Sequence, residues 1–365
     1  MTIDMNKLGY EIDLLPVGDG SKSGDAILLR FGDLYEGKSA QKVVVIDGGY
    51  KCTAKSVKDH LIKYYNCINA QGKIQIDLMI LTHPDVDHVS GLVELANDPD
   101  IQIIRIMMHR PWEELSVSWF KDGRITNKSI RQRLIDAFGK AYELDLATKK
   151  SYTCSSMPNS YKFGGAILHI LAPSPSLYKT QIALCDKTPD SVVESRMSET
   201  KMFGKILNEE PYNIGHSIKW YYNEQTTAIN ETSLVIMFEY LDVKVLFTGD
   251  AGIECLQEAI DYAEANGIDL SKLDIIKMPH HGSRKNITPD IMCKLGHDGT
   301  ECYFSCVSGD EGHHPSKRLV NLLNQMGFRV FCTRGNILRR HHNAPVRDGY
   351  KPAKTLGYFP TMETK

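Results

Sequence analysis

No stretch of this 365-residue chain reaches the run of about 18 apolar residues that a membrane-spanning helix requires. Residues 1–10 lack the apolar core of a signal peptide. No Cys-x-x-Cys pair occurs, which argues against a zinc ribbon or a thioredoxin-like redox site. The nine cysteines are odd in number and scattered, so reduced thiols in a cytoplasmic protein are expected rather than a disulfide scaffold. No Gly-x-Ser-x-Gly elbow presents a nucleophilic serine. Charge of one sign is also lacking: the formal net charge is −2, so any pull on a polyanion must come from local patches. Low-complexity segments and internal repeats are absent. With 42% hydrophobic and 24% charged residues, the composition is that of an ordinary globular protein able to bury a large core.

What is present is a series of short β-rich runs ending in Gly or Asp. Strands are expected at 26–31, 43–46, 78–81, 166–171, 233–240, 243–247, 275–278, 302–307 and 329–332. Helical periodicity falls at 54–70, 91–96, 130–146, 253–266 and 316–326, with Gly267 and Gly327 placed as stop signals. Two β-rich halves flanked by helices predict an α/β protein of the αββα sandwich type, formed by residues 1–365 as one domain. Two stretches, 108–160 and 175–228, break the pattern. We expect them to be insertions near the active-site face.

The densest chemistry lies at residues 81–92, Leu-Thr-His-Pro-Asp-Val-Asp-His-Val-Ser-Gly-Leu. An apolar strand runs into His83, Asp85, Asp87 and His88 before Gly91 opens a helix, and imidazole with carboxylate is a donor set for zinc, manganese or iron. Three further strands end in related groups: Asp47-Gly48-Gly49, Thr248-Gly249-Asp250 and His280-His281-Gly282-Ser283. A turn explains any one of these endings. Four in one chain point to a shared metal site.

These segments resemble, in order, the metallo-β-lactamase superfamily, whose signature is H-x-H-x-D-H followed by single Asp and His positions. They are more similar still to the soluble nuclease-like domain of the ComEC competence proteins, with T-H-P-D-x-D-H, N-x-S, T-G-D, H-H-G-S and G-H-P-S. Here the counterparts are 82–88, 230–233, 248–250, 280–283 and 312–316. The resemblance spans about residues 14–338, except the two insertions, and implies a metallo-β-lactamase fold holding two divalent metal ions, zinc or manganese. His83 and Asp85 would bind the first ion and Asp87 and His88 the second. Asp250 would bridge them, one of His280 or His281 would complete the second site, and Asp47 would orient ligands by hydrogen bonding. Asp85 replaces a histidine of the superfamily signature. The separate histidine between the signature and the bridging Asp has no counterpart, although Asn230 stands near that place. His314 resembles the late histidine of the subgroup and would donate a proton or bind phosphate.

Such a pair of ions implies hydrolysis with water as the nucleophile. Residues 317–354 hold nine Lys or Arg against one acid, Asp348, a local excess of +8. Arg339 and Arg340 in that run, with Ser283, Arg284 and Lys285 after the His pair, are therefore expected phosphate contacts. Catalysis is expected from Asp87, Asp250 and His314. The expected function is a phosphodiesterase or nuclease acting on nucleic acid, with no membrane contact. The alternatives are a hydrolase of a lactone, thioester or cyclic nucleotide, and a binding subunit that needs a protein partner.

Overall fold

The computed structural model describes residues 5–18, 22–119, 126–186, 188, 208–222, 225–307 and 313–364. Among the described residues, two seven-stranded sheets face each other. The first runs, in spatial order, Leu338–His342, Leu8–Leu14, Ala26–Asp33, Gln41–Gly48, Leu78–Ile80, Arg105–Met107 and Tyr152–Thr153. The second runs Arg329–Cys332, Glu301–Phe304, Ile275–Lys277, Val243–Phe247, Val235–Tyr240, Ala166–Ala172 and Asn159–Phe163.

The period-two geometry of a strand sorts the core into three layers. Val44, Ile46, Ile236, Phe238, Val245 and Phe247 point between the sheets and pack together. Their alternates on the first sheet, Val43 and Val45, pack under Val57, Leu61, Val89 and Leu92 of the helices Thr53–Tyr64 and Val86–Asn97. On the second sheet, Met237, Leu246 and Ile276 pack under Leu256, Ile260 and Leu323 of Ile253–Ala265 and Lys317–Gln325. Sheets covered on both faces explain why so many strands read as unbroken apolar runs. The result is the αββα sandwich. No described helix is long and apolar enough to cross a membrane.

The central strands of both sheets run parallel: Gln41–Gly48 beside Leu78–Ile80, and Val243–Phe247, Ile275–Lys277 and Glu301–Phe304 in succession. Parallel strands put their carboxyl ends on one edge, where loops can pool side chains. That edge receives the segments beginning at Asp47, Thr82, Thr248 and Pro279. Close approach there demands glycine: a Cβ on Gly91 would stand 1.9 Å from the Gly48 carbonyl oxygen.

Several elements differ from the sequence reading. The expected helix 130–146 is two helices, Asn127–Ala137 and Gly139–Ala147, separated at Phe138. The first runs from a Thr126–Ser129 capping box, and Leu134 and Leu144 join the core beneath Val86–Asn97. Much of 108–160 is thus outer-layer helix and edge strand, while the described part of 175–228 includes the helix Pro175–Leu184. Strands Leu8–Leu14 and Leu338–His342 escaped the reading because Glu11, Asp13, Arg339 and Arg340 interrupt their apolar pattern.

Candidate metal centre

Asp47 ends its strand at φ 54° and turns its carboxylate under the signature loop. Its Oδ1 accepts from the Thr82 amide at 2.9 Å, and its Oδ2 accepts from the Thr82 hydroxyl at 2.7 Å and meets His88 Nδ1 at 2.8 Å. Asp47 thereby fixes both sides of the segment that carries His83, Asp85, Asp87 and His88. His280 and His281 also adopt positive φ, 44° and 54°, as does His313 at 58°. Left-handed backbone at four non-glycine residues in one place is conformational strain concentrated at a site.

Each buried imidazole is anchored through one nitrogen. His83 Nδ1 lies 3.1 Å from Thr82 Oγ1, His88 Nδ1 lies 2.8 Å from Asp47, and His281 Nδ1 donates to the Ser305 carbonyl at 2.9 Å. The opposite nitrogens converge. His88 Nε2 is 3.4 Å from Asp250 Oδ1, while His83 Nε2 is 3.9 Å and His281 Nε2 3.8 Å from Asp250 Oδ2. Asp85 lies 3.7 Å from His83, and Asp87 3.8 Å from His88 and 3.5 Å from His281. His280 is 3.9 Å from Asp250 Oδ2 through Nε2, and the Asn230 amide lies 2.9 Å from its Nδ1.

These separations are those of atoms around shared cations. Two donors about 2.1 Å from one tetrahedral ion stand roughly 3.4 Å apart. The groups His83–His88–Asp250 and Asp87–His88–His281 each keep their donor atoms within 4.8 Å. His83 Nε2, His88 Nε2, His281 Nε2 and Asp250 Oδ1 are buried without a hydrogen-bond partner. Buried polar atoms are rarely left so. The donor set therefore fits divalent cations.

Neighbouring charges and burial shift several of these groups. Burial alone would lower the His88 pKa, but Asp250, Asp47 and Asp87 raise it well above the usual histidine value. Asp250, although burial opposes it, is held far below the carboxylate range by His88, His280 and His281. His83 moves down, through burial and the neighbouring His88, so its free nitrogen is a lone-pair donor.

The remaining expected residues divide. His314 joins the cluster, its ring centroid 5.4 Å from His280 and 6.0 Å from His281; Gly312, which opens its motif, lies outside the described residues. Arg284 and Lys285 follow the His pair and are partly exposed. Ser283 is buried and accepts from the Lys285 amide, which shapes the turn. Arg339 and Arg340 are not brought to the cluster. Arg339 is spent on Glu11 at 2.6 Å, and Arg340 lies 3.4 Å from Glu301. Arg318, Arg329 and Arg347 are likewise paired with acids, so much of the basic run is engaged within the chain.

The sequence reading missed Asp25 and Lys277. Asp25 carboxylate oxygens lie 3.8 Å from His88 Nδ1 and 3.7 Å from His281 Nδ1, and the Lys277 ammonium is ion-paired with it. Gly24-Asp25 before a strand looks like a turn, and a lysine ending a strand looks solvated. His109, Pro111 and Tyr178, from the two insertions, meet beside His83 and line a small recess with Thr82 and Pro84.

Residues 34–166 match the sequence model of the metallo-beta-lactamase superfamily, a span that includes Asp47 and 83–88. Over 136 residues the chain is 26% identical to ComE operon protein 3 of Bacillus subtilis (strain 168), covering 37% of this chain and 16% of that protein. Among solved structures it is similar to a diphosphatase from the PhnP family (TM-score 0.41, 11% identity, 92% of this chain and 98% of that one). It is also similar to unliganded yeast PDE1 (TM-score 0.43, 12% identity, 89% and 97%).

Proposed function

We propose that this chain belongs to the metallo-β-lactamase superfamily and is a dinuclear-metal hydrolase of phosphodiesters, with nucleic acid as its substrate class. The observation that supports it most is the set of buried, unpartnered donor atoms on His83, His88, His281 and Asp250. His83, Asp85 and His280 would hold one cation, Asp87, His88 and His281 the other, with Asp250 between them. His280 would then fill the place left by the histidine that the signature lacks. Zinc and manganese both suit this mixed donor set.

When bound, two such cations supply Lewis acidity to water and neutralise charge on a phosphoryl oxygen. The chain's own groups do the rest. Asp47, Thr82 and Ser305 orient the imidazoles, as outer hydrogen bonds do in metal sites generally. Asp87, partly exposed at the centre, accepts a proton from the attacking water. His314, beside His280, protonates the leaving oxygen. Arg284 and Lys285 hold the non-bridging phosphate oxygens. A second reading, hydrolysis of a small molecule, is favoured by one observation: Arg329, Arg339, Arg340 and Arg347 of the C-terminal run are paired with Glu11, Asp13 and Glu301, which shortens the basic track.

The test is a substrate panel with Mn²⁺ or Zn²⁺: bis-p-nitrophenyl phosphate, linear and circular DNA, RNA and a lactone. Cleavage of the phosphodiesters, lost on chelation, is expected. Efficient lactone cleavage with every phosphodiester untouched would overturn the substrate class and leave the hydrolase standing.

A further inference from the structure

The strand Ile275–Lys277 delivers a lysine into the floor of the metal centre. Lys277 is 1% exposed; its ammonium is ion-paired with Asp25, donates to the Gly249 carbonyl at 3.0 Å and stands 3.9 Å from Asp250 Oδ1. The buried ammonium has its counter-charge in place, the Asp25 carboxylate, with Asp250 close beside it. Asp25 is fully buried too, and it completes two further donor groupings: Asp25, Asp47 and His88, and Asp25, Asp250 and His281. The imidazoles beside Asp25 give their Nδ1 hydrogen bonds to Asp47 and Ser305 instead, so Asp25 faces them as a charge rather than as an acceptor.

Five carboxylates thus crowd one pocket: Asp25, Asp47, Asp85, Asp87 and Asp250. We propose that Lys277 is a built-in cation of the centre, paired with Asp25, whose single charge together with two divalent ions balances those five carboxylates. The inference rests on the two-cation reading given above. A lysine in this role sets metal affinity by its charge, since it repels any dication seated at Asp250.

Sign separates this role from plain scaffolding. If the pair only props up the loops, removing either partner weakens metal binding. If Lys277 acts by charge, Lys277→Met leaves Asp25 uncompensated and tightens Mn²⁺ binding, whereas Asp25→Asn leaves the ammonium uncompensated and weakens it. Each shift is expected to be at least about tenfold in Kd. The double variant Asp25→Asn/Lys277→Met has neither charge and should bind more tightly than Asp25→Asn alone. Isothermal titration of the metal-free full chain with Mn²⁺ reads all four proteins, with circular dichroism confirming the fold. Unchanged or weaker binding by a folded Lys277→Met overturns the proposal. Should that variant not fold, the double variant decides: failure to exceed Asp25→Asn overturns it. Wild-type chain that takes up no Mn²⁺ would instead refute the two-cation reading itself.

Discussion

Two buried ionic clusters, one on the first sheet and one where strand ends of both sheets meet, are built on opposite plans. Under the helix Thr53–Tyr64, Glu11 and Asp13 meet three guanidinium groups, those of Arg30, Arg339 and Arg347. Arg347 grips Asp13 with two bonds of 2.9 and 2.7 Å, and His60 and Tyr65 add contacts at 3.0 and 2.8 Å. Every acid there has its counter-charge within the chain. At the strand ends five carboxylates face one ammonium, and the Nε2 atoms of His83, His88 and His281 lack hydrogen-bond partners. A cluster that compensates itself is architecture, because a buried charge must be paired. A cluster that leaves its donors open calls for cations from solution.

The sharpest way to break this contrast is to remove one charged group from each cluster. Asp250→Ala takes the shared donor from the open cluster. We expect hydrolysis to fall by at least about 10³-fold, with metal uptake reduced, while the fold persists. Full activity in this variant would end the distinction.

Arg347→Ala does the opposite. It leaves Asp13 buried and short of its bidentate partner, which is expected to cost about 3–5 kcal/mol of stability by denaturant unfolding. Metal stoichiometry should not change. Chelation should lower the stability of wild type and Arg347→Ala by similar amounts, since sites without shared partners act additively. Strong coupling between the two would mean the clusters are one network.

A smaller effect appears in acid. Burial would raise the Asp13 pKa, but His60 and Arg347 bring it down to about 2. A depressed carboxyl contributes stability above its unfolded pKa and loses it as pH falls through the folded value. Roughly 2–3 kcal/mol should therefore disappear between about pH 4 and pH 2. In Arg347→Ala the acid slope over that window should flatten.

The contrast also explains what could be read from sequence. The proposed metal donors His83, Asp85, Asp87 and His88 stand within six residues, which made them legible. The unbroken apolar run Val43–Ile46, buried on both faces, likewise made its strand legible. Arg339 misled because charge counting along a segment cannot see Glu11, 328 residues away. Asp25 and Lys277 were hidden for the same reason: each is ordinary locally, and only the folded chain brings them under His88 and His281. Phe138 split an expected helix by ending one amphipathic turn where the chain redirects its next apolar face to the core.

The smallest effect concerns substrate approach. Replacing Arg284 and Lys285 by Ala should raise KM for a phosphodiester polymer severalfold and reduce its salt dependence, with kcat less affected. The same change at Arg339 should act on stability alone.

The most direct measurement is anomalous scattering from a crystal of the full chain grown with Mn²⁺. The account predicts two ions flanking Asp250, one contacted by His83, Asp85 and His280 and the other by Asp87, His88 and His281. A well-ordered crystal with no ion at Asp250, at saturating Mn²⁺ and neutral pH, would contradict it.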